Sequence, residues 1–439
     1  MMMTYSRRAK IFPAFLIAVG AVAAQASVIG TNSPAESLTR ARIAQLPVSE
    51  QHAWLAYLDR SDRQREADKA FLVAEMKRLG LSHPLQAPFD ASARSIPLDR
   101  ESSWYASVEA CHIADIIVSF QTPAGGWGKN IEMSKEPRRA GESFASNNLL
   151  RSVSPGDFDS PRESDWNYVG TIDNDATTTQ LRFLARTISA IAPHDSATYR
   201  SAFLTGMRYL FAAQFPNGGW PQVWPLEGGY HDAITFNDNA MVNVMELMRR
   251  VADGQGEYSF VPHEISSRAE ASFARGTQCI LATQIRSNGK RTVWPQQDNA
   301  VTLRPASARN YEPPAQSSCE SADLLLMLMN NLAHPTREQL DAIRAAAAWF
   351  RRTAIYGQSW NQTPEGRRLV SSPGAGPIWA RYYRVDDDQP IFGDRDKSIH
   401  DDVNEISRER RNGYRWYCTD PQNALNRFEI WNKEHMESK

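Results

Sequence analysis

Residues 206–225, GMRYLFAAQFPNGGWPQVWP, decide the fold. An apolar helical run ends at Gln214, and the chain then turns through Gly218, Gly219 and Trp220 before an irregular stretch. The same order occurs at residues 113–130, IADIIVSFQTPAGGWGKN, with Gln121 and Gly125-Gly126-Trp127. A degenerate third copy, GTQCILATQIRSNGKRTVWPQQ at 276–297, keeps Gln284, Asn288-Gly289 and Trp294-Pro295. The repeated unit is helix, Gly-Trp turn, loop, helix. A helical hairpin buries one face against its neighbours, so three such units predict an all-α fold, an (α/α)3 toroid with long irregular loops and its turns at one end. Period-two strand patterns are short and sparse. The tryptophans read equally as core plugs or, Trp220 among them, as platforms for a sugar ring.

Two of the stretches that precede apolar helix patterns look alike. TIDNDATTTQLRFLAR (171–186) carries Asp173, Asn174 and Asp175; TFNDNAMVNVMELMRR (235–250) carries Asn237, Asp238 and Asn239. Each residue alone reads as a helix N-cap. Taken together, ring-related loops would bring carboxylate and amide oxygens to one end of the toroid, where they suit a hard cation such as Ca²⁺. Zinc is disfavoured, because neither cluster holds His or Cys. Asp175 reads better as a cap than as an extra ligand. Further on, Arg309, Arg381, Arg384, Arg395 and Lys397 lie in Pro- and Gly-punctuated loops among aromatics, a setting for bidentate recognition of a carboxylated ligand.

Six ordered motifs then carry a resemblance. GGWGKN, TIDNDATT, GGYHDAITFNDNAM, RPASARNYE, PIWARYYRVDDDQPIFGDRD and RRNGYRWY, spread from about Trp104 to Tyr417, resemble the pectate lyases of polysaccharide lyase family ten. The resemblance implies Ca²⁺-assisted β-elimination on polygalacturonate (pectin), with Asp173, Asn174 and Asp238 at the metal and Arg309 as the base. It implies that Arg381 and Arg395 hold substrate carboxylates; Lys129 and Trp220 are further candidates for the sugar. Cationic neighbours would depress the Arg309 pKa and give an alkaline optimum. The rival readings are an α/α-toroid glycoside hydrolase using Asp173 and Asp238 as acid and base, and a non-catalytic pectin-binding protein.

Composition is that of a globular protein: 439 residues, 42% hydrophobic, with Lys+Arg of 49 against Asp+Glu of 50. So balanced a charge gives no argument for nucleic acid or a membrane surface, and a monomer is expected. Residues 1–26 read as a signal peptide, with basic Arg7, Arg8 and Lys10, an apolar run too short to span a membrane, and a small-x-small end at Ala26. The mature protein is expected to be secreted or periplasmic. Residues 27–100 read as an N-terminal helical extension of two or three helices plus a linker, and 101–439 as the toroid. Cys111, Cys279, Cys319 and Cys418 form no C-x-x-C pair; buried free thiols are expected, although the compartment permits a disulfide.

Overall fold

A computed structural model describes residues 27–90, 95–146 and 156–436, so the signal-peptide reading falls outside the described residues. Among these, no helix is long and apolar enough to cross a membrane.

Eleven α-helices are present among the described residues: α1 (Arg40–Ile43), α2 (Val48–Leu79), α3 (Val108–Ser119), α4 (Thr178–Ala190), α5 (Ala197–Ala213), α6 (Ala240–Asp253), α7 (His263–Thr283), α8 (Ser318–Asn331), α9 (Arg337–Thr353), α10 (Arg408–Gly413) and α11 (Asp420–Met436). They form the α/α toroid. Helices α3, α5, α7 and α9 make an outer row, α4, α6 and α8 an inner one, and α11 packs on α8 and α9. The core between the rows is built from the apolar stripes of the inner helices, such as Met241, Val244, Met245, Met248 and Val251 of α6, all fully buried.

The sequence repeat corresponds to repeated hydrogen bonds. Gln121 donates to Gly125 O and to Ala202 O of α5, both at 2.9 Å. Gln214 does the same to Gly218 O (2.9 Å) and Ser272 O of α7 (3.0 Å). Gln284 reaches Thr292 O and Ala342 O of α9, both at 2.9 Å. Each glutamine thus closes its own turn and fastens its helix to the next outer one, supplying a partner to backbone groups that burial would otherwise leave unsatisfied. The turn glycines are sterically required: a Cβ on Gly125 (φ 104°) would lie 2.7 Å from Thr205 O, and one on Gly218 (φ 94°) would overlap Arg275 O.

Two features differ from expectation. The loops of the C-terminal third contain antiparallel strands, in a five-stranded sheet ordered Val28–Thr31, Ser398–His400, Pro390–Gly393, Tyr382–Tyr383 and Gln316–Ser317. These strands of two to four residues are too short to show alternation. Moreover Cys319 and Cys418 form a disulfide, tying the start of α8 to the strand before α11, while Cys111 and Cys279 stay free. The expectation of free thiols fails for that pair because the fold brings together residues 99 apart in sequence. The extension holds two helices, and α2 lies along the toroid, with Tyr57 Oη donating to Ala213 O (3.0 Å) and Glu75 receiving both Arg138 Nη1 (3.2 Å) and Nη2 (2.6 Å).

Candidate active site

Each Gly-Trp turn holds the loop that leads into the next inner helix. The carbonyl of Trp127 accepts from Thr171 N (2.9 Å), that of Trp220 from Thr235 N (3.1 Å) and that of Trp294 from Ser317 N (2.8 Å). Counting two or three residues on from each donor gives Asp173 and Asn174, Asn237 and Asp238, and Cys319 and Glu320. The third place therefore also carries an acidic residue, Glu320 in the first turn of α8, which the sequence reading missed because the residue in the Asp173 place is a cysteine. The signal was the constant offset from the turn.

Asp173 and Asp238 are not caps. Neither carboxylate accepts a hydrogen bond from a helix N-terminal amide, and the residues preceding α4 and α6 make no side-chain cap bond. Instead the buried Asn237 amide joins them: its Nδ2 lies 3.3 Å from Asp173 Oδ1 and 2.7 Å from Asp238 Oδ2. Its Oδ1 accepts from Arg381 Nη2 (3.2 Å) and Gln296 Nε2 (2.7 Å). Asn174, Asp175, Thr177, Asp238 and Asn239 all have positive φ, between 47° and 62°. Conformations this costly for residues with a Cβ collect at functional sites. The cap expected of Asp175 does not form either; its carboxylate accepts from Asn243 Nδ2 (2.6 Å). Asn174 donates its amide nitrogen to Asn130 Oδ1 (3.0 Å).

The electrostatics of the pair are unequal. Burial would raise the Asp173 pKa, but Lys129 Nζ at 2.5 Å outweighs it and holds the carboxyl below the ordinary range. Lys129 also rests over the Tyr168 ring, 3.5 Å from its centroid. Asp238 stands at the cleft mouth, open to solvent on one side, and its pKa is raised by the surrounding protein and then by the neighbouring Asp173, against Arg381 and Arg309. Two oxygen-donor loops that bring Asp173 and Asp238 onto one amide fit a hard divalent cation. Among the described residues, the one closer grouping of His, Cys, Asp or Glu ligand atoms is Cys319, Cys418 and Asp420, where both sulfurs are in the disulfide.

Arg309 faces the same cluster with its side chain one-third exposed. Its Nε (2.8 Å) and Nη2 (2.5 Å) fork onto the two oxygens of buried Glu312. Burial alone would depress the guanidinium, but Glu312 overrides it and the pKa is raised well above the usual arginine value. The expected depression of the Arg309 pKa is therefore corrected: a carboxylate three residues on in the same RNYE motif dominates the more distant cations. Glu312 in turn sits at about 2, where burial is outweighed by Arg309. Tyr414 Oη donates to Glu312 Oε1 (2.6 Å) and touches Tyr382 Oη (2.6 Å), and its ring lies under both Arg309 and Arg381, 5.6 and 4.7 Å from its centroid. Arg381 is buried on Glu320. Arg395 stands further out, over the Tyr311 ring it shares with Arg309 and Arg410, and is held by Glu409 at 3.2 and 3.3 Å. Asp173, Asp238, Lys129, Arg309 and Arg381 thus meet in one contiguous cluster with Arg395 at its edge.

Trp220 is not there. It is fully buried, with Nε1 on Leu210 O (2.9 Å), just as Trp127 Nε1 bonds Ile117 O (2.7 Å) and Trp294 Nε1 bonds Ile280 O (2.6 Å). The sugar-platform reading is corrected to a core plug. Trp220→Phe, which orphans the Leu210 carbonyl, should lower stability by about 1–3 kcal/mol and leave KM unchanged, as thermal melts and initial rates would show.

The chain is similar to polysaccharide lyases of solved structure. An Asp→Ala mutant of a family 10 polysaccharide lyase from Cellvibrio cellulosa, in complex with trigalacturonic acid, is 28% identical, with a TM-score of 0.62 over 78% of this chain and 99% of that one. The family 10 enzyme from the same organism without that description is 27% identical, with a TM-score of 0.62 over 79% and 99%. No curated protein matches the chain. Residues 121–425 match the model of the pectic acid lyases. The chain belongs to the pectic acid lyase family and is a polysaccharide lyase.

Proposed function

We propose that the protein cleaves α-1,4-linked polygalacturonate by β-elimination, leaving 4,5-unsaturated oligogalacturonates. One observation carries this reading: the Asn237 amide links the Asp173/Asp238 pair at one end to Arg381 at the other, so a metal-ready acidic face and a carboxylate-reading basic face share one cleft. The C5 proton lies α to the sugar carboxylate and is a poor acid while that carboxylate is negative. Ca²⁺, held by Asp173, Asn174 and Asp238, would act as a Lewis acid on the carboxylate and stabilise the enolate-like charge.

The remaining work falls to this chain. Arg309 takes the C5 proton; the C5–H electrons become the C4–C5 double bond, and the C4 oxygen leaves with its bonding pair and is protonated by water. Arg381 commits Nη2 to Glu320 and Asn237, so Nη1 of its guanidinium is the donor to turn toward a substrate carboxylate. Arg395, on long bonds to Glu409, is suited to exchange that partner for a second carboxylate. Spectrophotometry on polygalacturonate tests the reaction: an elimination product absorbs in the near ultraviolet, whereas hydrolysis or binding alone produces no such signal.

A base must be neutral, and Glu312 keeps the proton on Arg309. Because the folded pKa is raised, the neutral fraction grows about tenfold per pH unit below it, so kcat should climb through the alkaline range without a plateau. Glu312→Gln removes the carboxylate that retains the proton. The rising limb of its kcat–pH profile should move to lower pH, at a smaller maximum since the bidentate anchor goes too. An unmoved limb would exclude Arg309 as the base and turn attention to Lys129, another cation of the cluster.

A further inference from the structure

We propose that the segment Ser27–Asn32 is a strap that positions Arg309, with Asn32 as its key residue. The proposal rests on the reading of Arg309 as the group that takes the C5 proton. Asn32 is buried, and its side-chain Nδ2 donates to two successive carbonyls, Arg309 O (3.2 Å) and Asn310 O (3.0 Å). Its backbone N donates to Lys397 O (2.8 Å), and its Oδ1 accepts from Ser33 N (3.0 Å), which fixes the amide. One asparagine therefore grips both arginine-bearing loops, 304–312 and 394–397.

The surroundings extend this grip. Residues Val28–Thr31 pair antiparallel with Ser398–His400, and Ser307 Oγ donates to Ser33 O. Asn310, whose carbonyl Asn32 holds, donates its own Nδ2 to Arg395 O (2.8 Å), so the backbones of Arg309 and Arg395 are locked to each other. The strap is anchored at its first residue: Ser27 N donates to Glu405 Oε2 (2.8 Å). Cleavage after Ala26 would make that nitrogen an α-ammonium and the contact an ion pair. The strap itself, residues 27–32, lies outside the matched stretch 121–425, whereas the loops it grips lie inside it.

The chemistry explains why position matters. Glu312 fixes the guanidinium end of Arg309, and Asn32 fixes the backbone end. With one end released, the side chain pivots about the other, and displacements near 1 Å at a reacting group cost about 100-fold.

The test uses the full-length protein and polygalacturonate with Ca²⁺. Asn32→Ala should lower kcat roughly 10–100-fold, with KM and Ca²⁺ affinity held within about 3-fold. Asn32→Asp keeps the shape but offers acceptors to two carbonyls, and should be worse than Ala; a residue that merely fills space would give the opposite order. Should Asn32→Asp not fold, Asn32→Ala carries the test, supported by Ser307→Ala, which removes a single strap contact and should lower kcat a few-fold. In an Arg309→Lys background Asn32→Ala should add little. Near-normal kcat for Asn32→Ala, a parallel loss of kcat, KM and Ca²⁺ affinity, or full additivity with Arg309→Lys would each overturn the strap while leaving Arg309 in its role. Near-normal turnover of Arg309→Lys and Arg309→Ala would instead overturn the reading of Arg309, and the strap with it.

Discussion

Arg309→Ala is expected to lower kcat by roughly 10²–10⁴-fold on polygalacturonate while Ca²⁺ binding survives, because a general base acts on the proton in flight and not on the bound ground state. The substitution also strands the charge of Glu312, which is almost fully buried and would keep neutral donors alone: Tyr414 Oη, Gln296 Nε2 and the backbone N of residue 309. Breaking a buried pair from one side destabilises by up to about 3–5 kcal/mol, and the one-third exposure of Arg309 places this case toward the lower end. Loss of activity and loss of fold must therefore be separated. The double variant Arg309→Ala/Glu312→Gln does so: removing the stranded charge should return most of the stability, and kcat should stay low. If kcat recovers along with the melting temperature, Arg309 is a structural partner of Glu312 and no base. Arg309→Lys should fall between wild type and Ala in stability yet remain slow, since an ammonium cannot fork onto the two Glu312 oxygens.

The parts of this molecule that were legible in its sequence are those in which one physical solution is used several times. Gln121, Gln214 and Gln284 stand out as a repeat because each makes the same pair of backbone bonds. Asp173 and Asp238 were legible as a pair because short oxygen side chains recur before two helices. Trp220 was misjudged for a related reason: periodicity shows that an indole belongs to the repeat but not which way it faces, and its Nε1 bond to Leu210 O forms only in the closed core. Glu320 was hidden by divergence at the start of α8, and Asn237 because its value lies in reaching Asp173, 64 residues away in sequence. Glu312 was in plain view three residues after Arg309. Its weight was underrated because the strength of an ion pair depends on burial, which a motif does not display.

The site is best understood as an electrostatic balance between these missed residues and the expected ones. Glu312 and Glu320 neutralise Arg309 and Arg381 respectively, and Lys129 neutralises Asp173. Asp238 is left as the carboxylate whose charge is opposed, first by the protein packed around its solvent-open face and then by Asp173. A cation arriving at the mouth of the cleft meets the one acidic group in the network that gains most from it.

Chelation should accordingly abolish turnover, and added Ca²⁺ restore it; full activity after exhaustive EGTA treatment would rule the metal out. Stability gives an independent reading of the same site, since a ligand that binds the folded state raises the melting temperature with its concentration. Wild-type protein should melt higher in Ca²⁺ than in EGTA. Asp238→Asn should behave in the opposite sense in two respects. Without metal it should melt above the wild type, because the folded state disfavours the charged form of Asp238 and the substitution removes that charge. With metal it should show little further rise, having lost a ligand. Asn237→Ala keeps both carboxylates but frees them from the amide that aligns them, and should weaken Ca²⁺ binding about 10–100-fold, as loss of a group that orients metal ligands does. Were Asp173 and Asp238 merely loop-forming residues, Asp238→Asn would leave the Ca²⁺-dependent shift intact and Asn237→Ala would lower stability equally in Ca²⁺ and in EGTA.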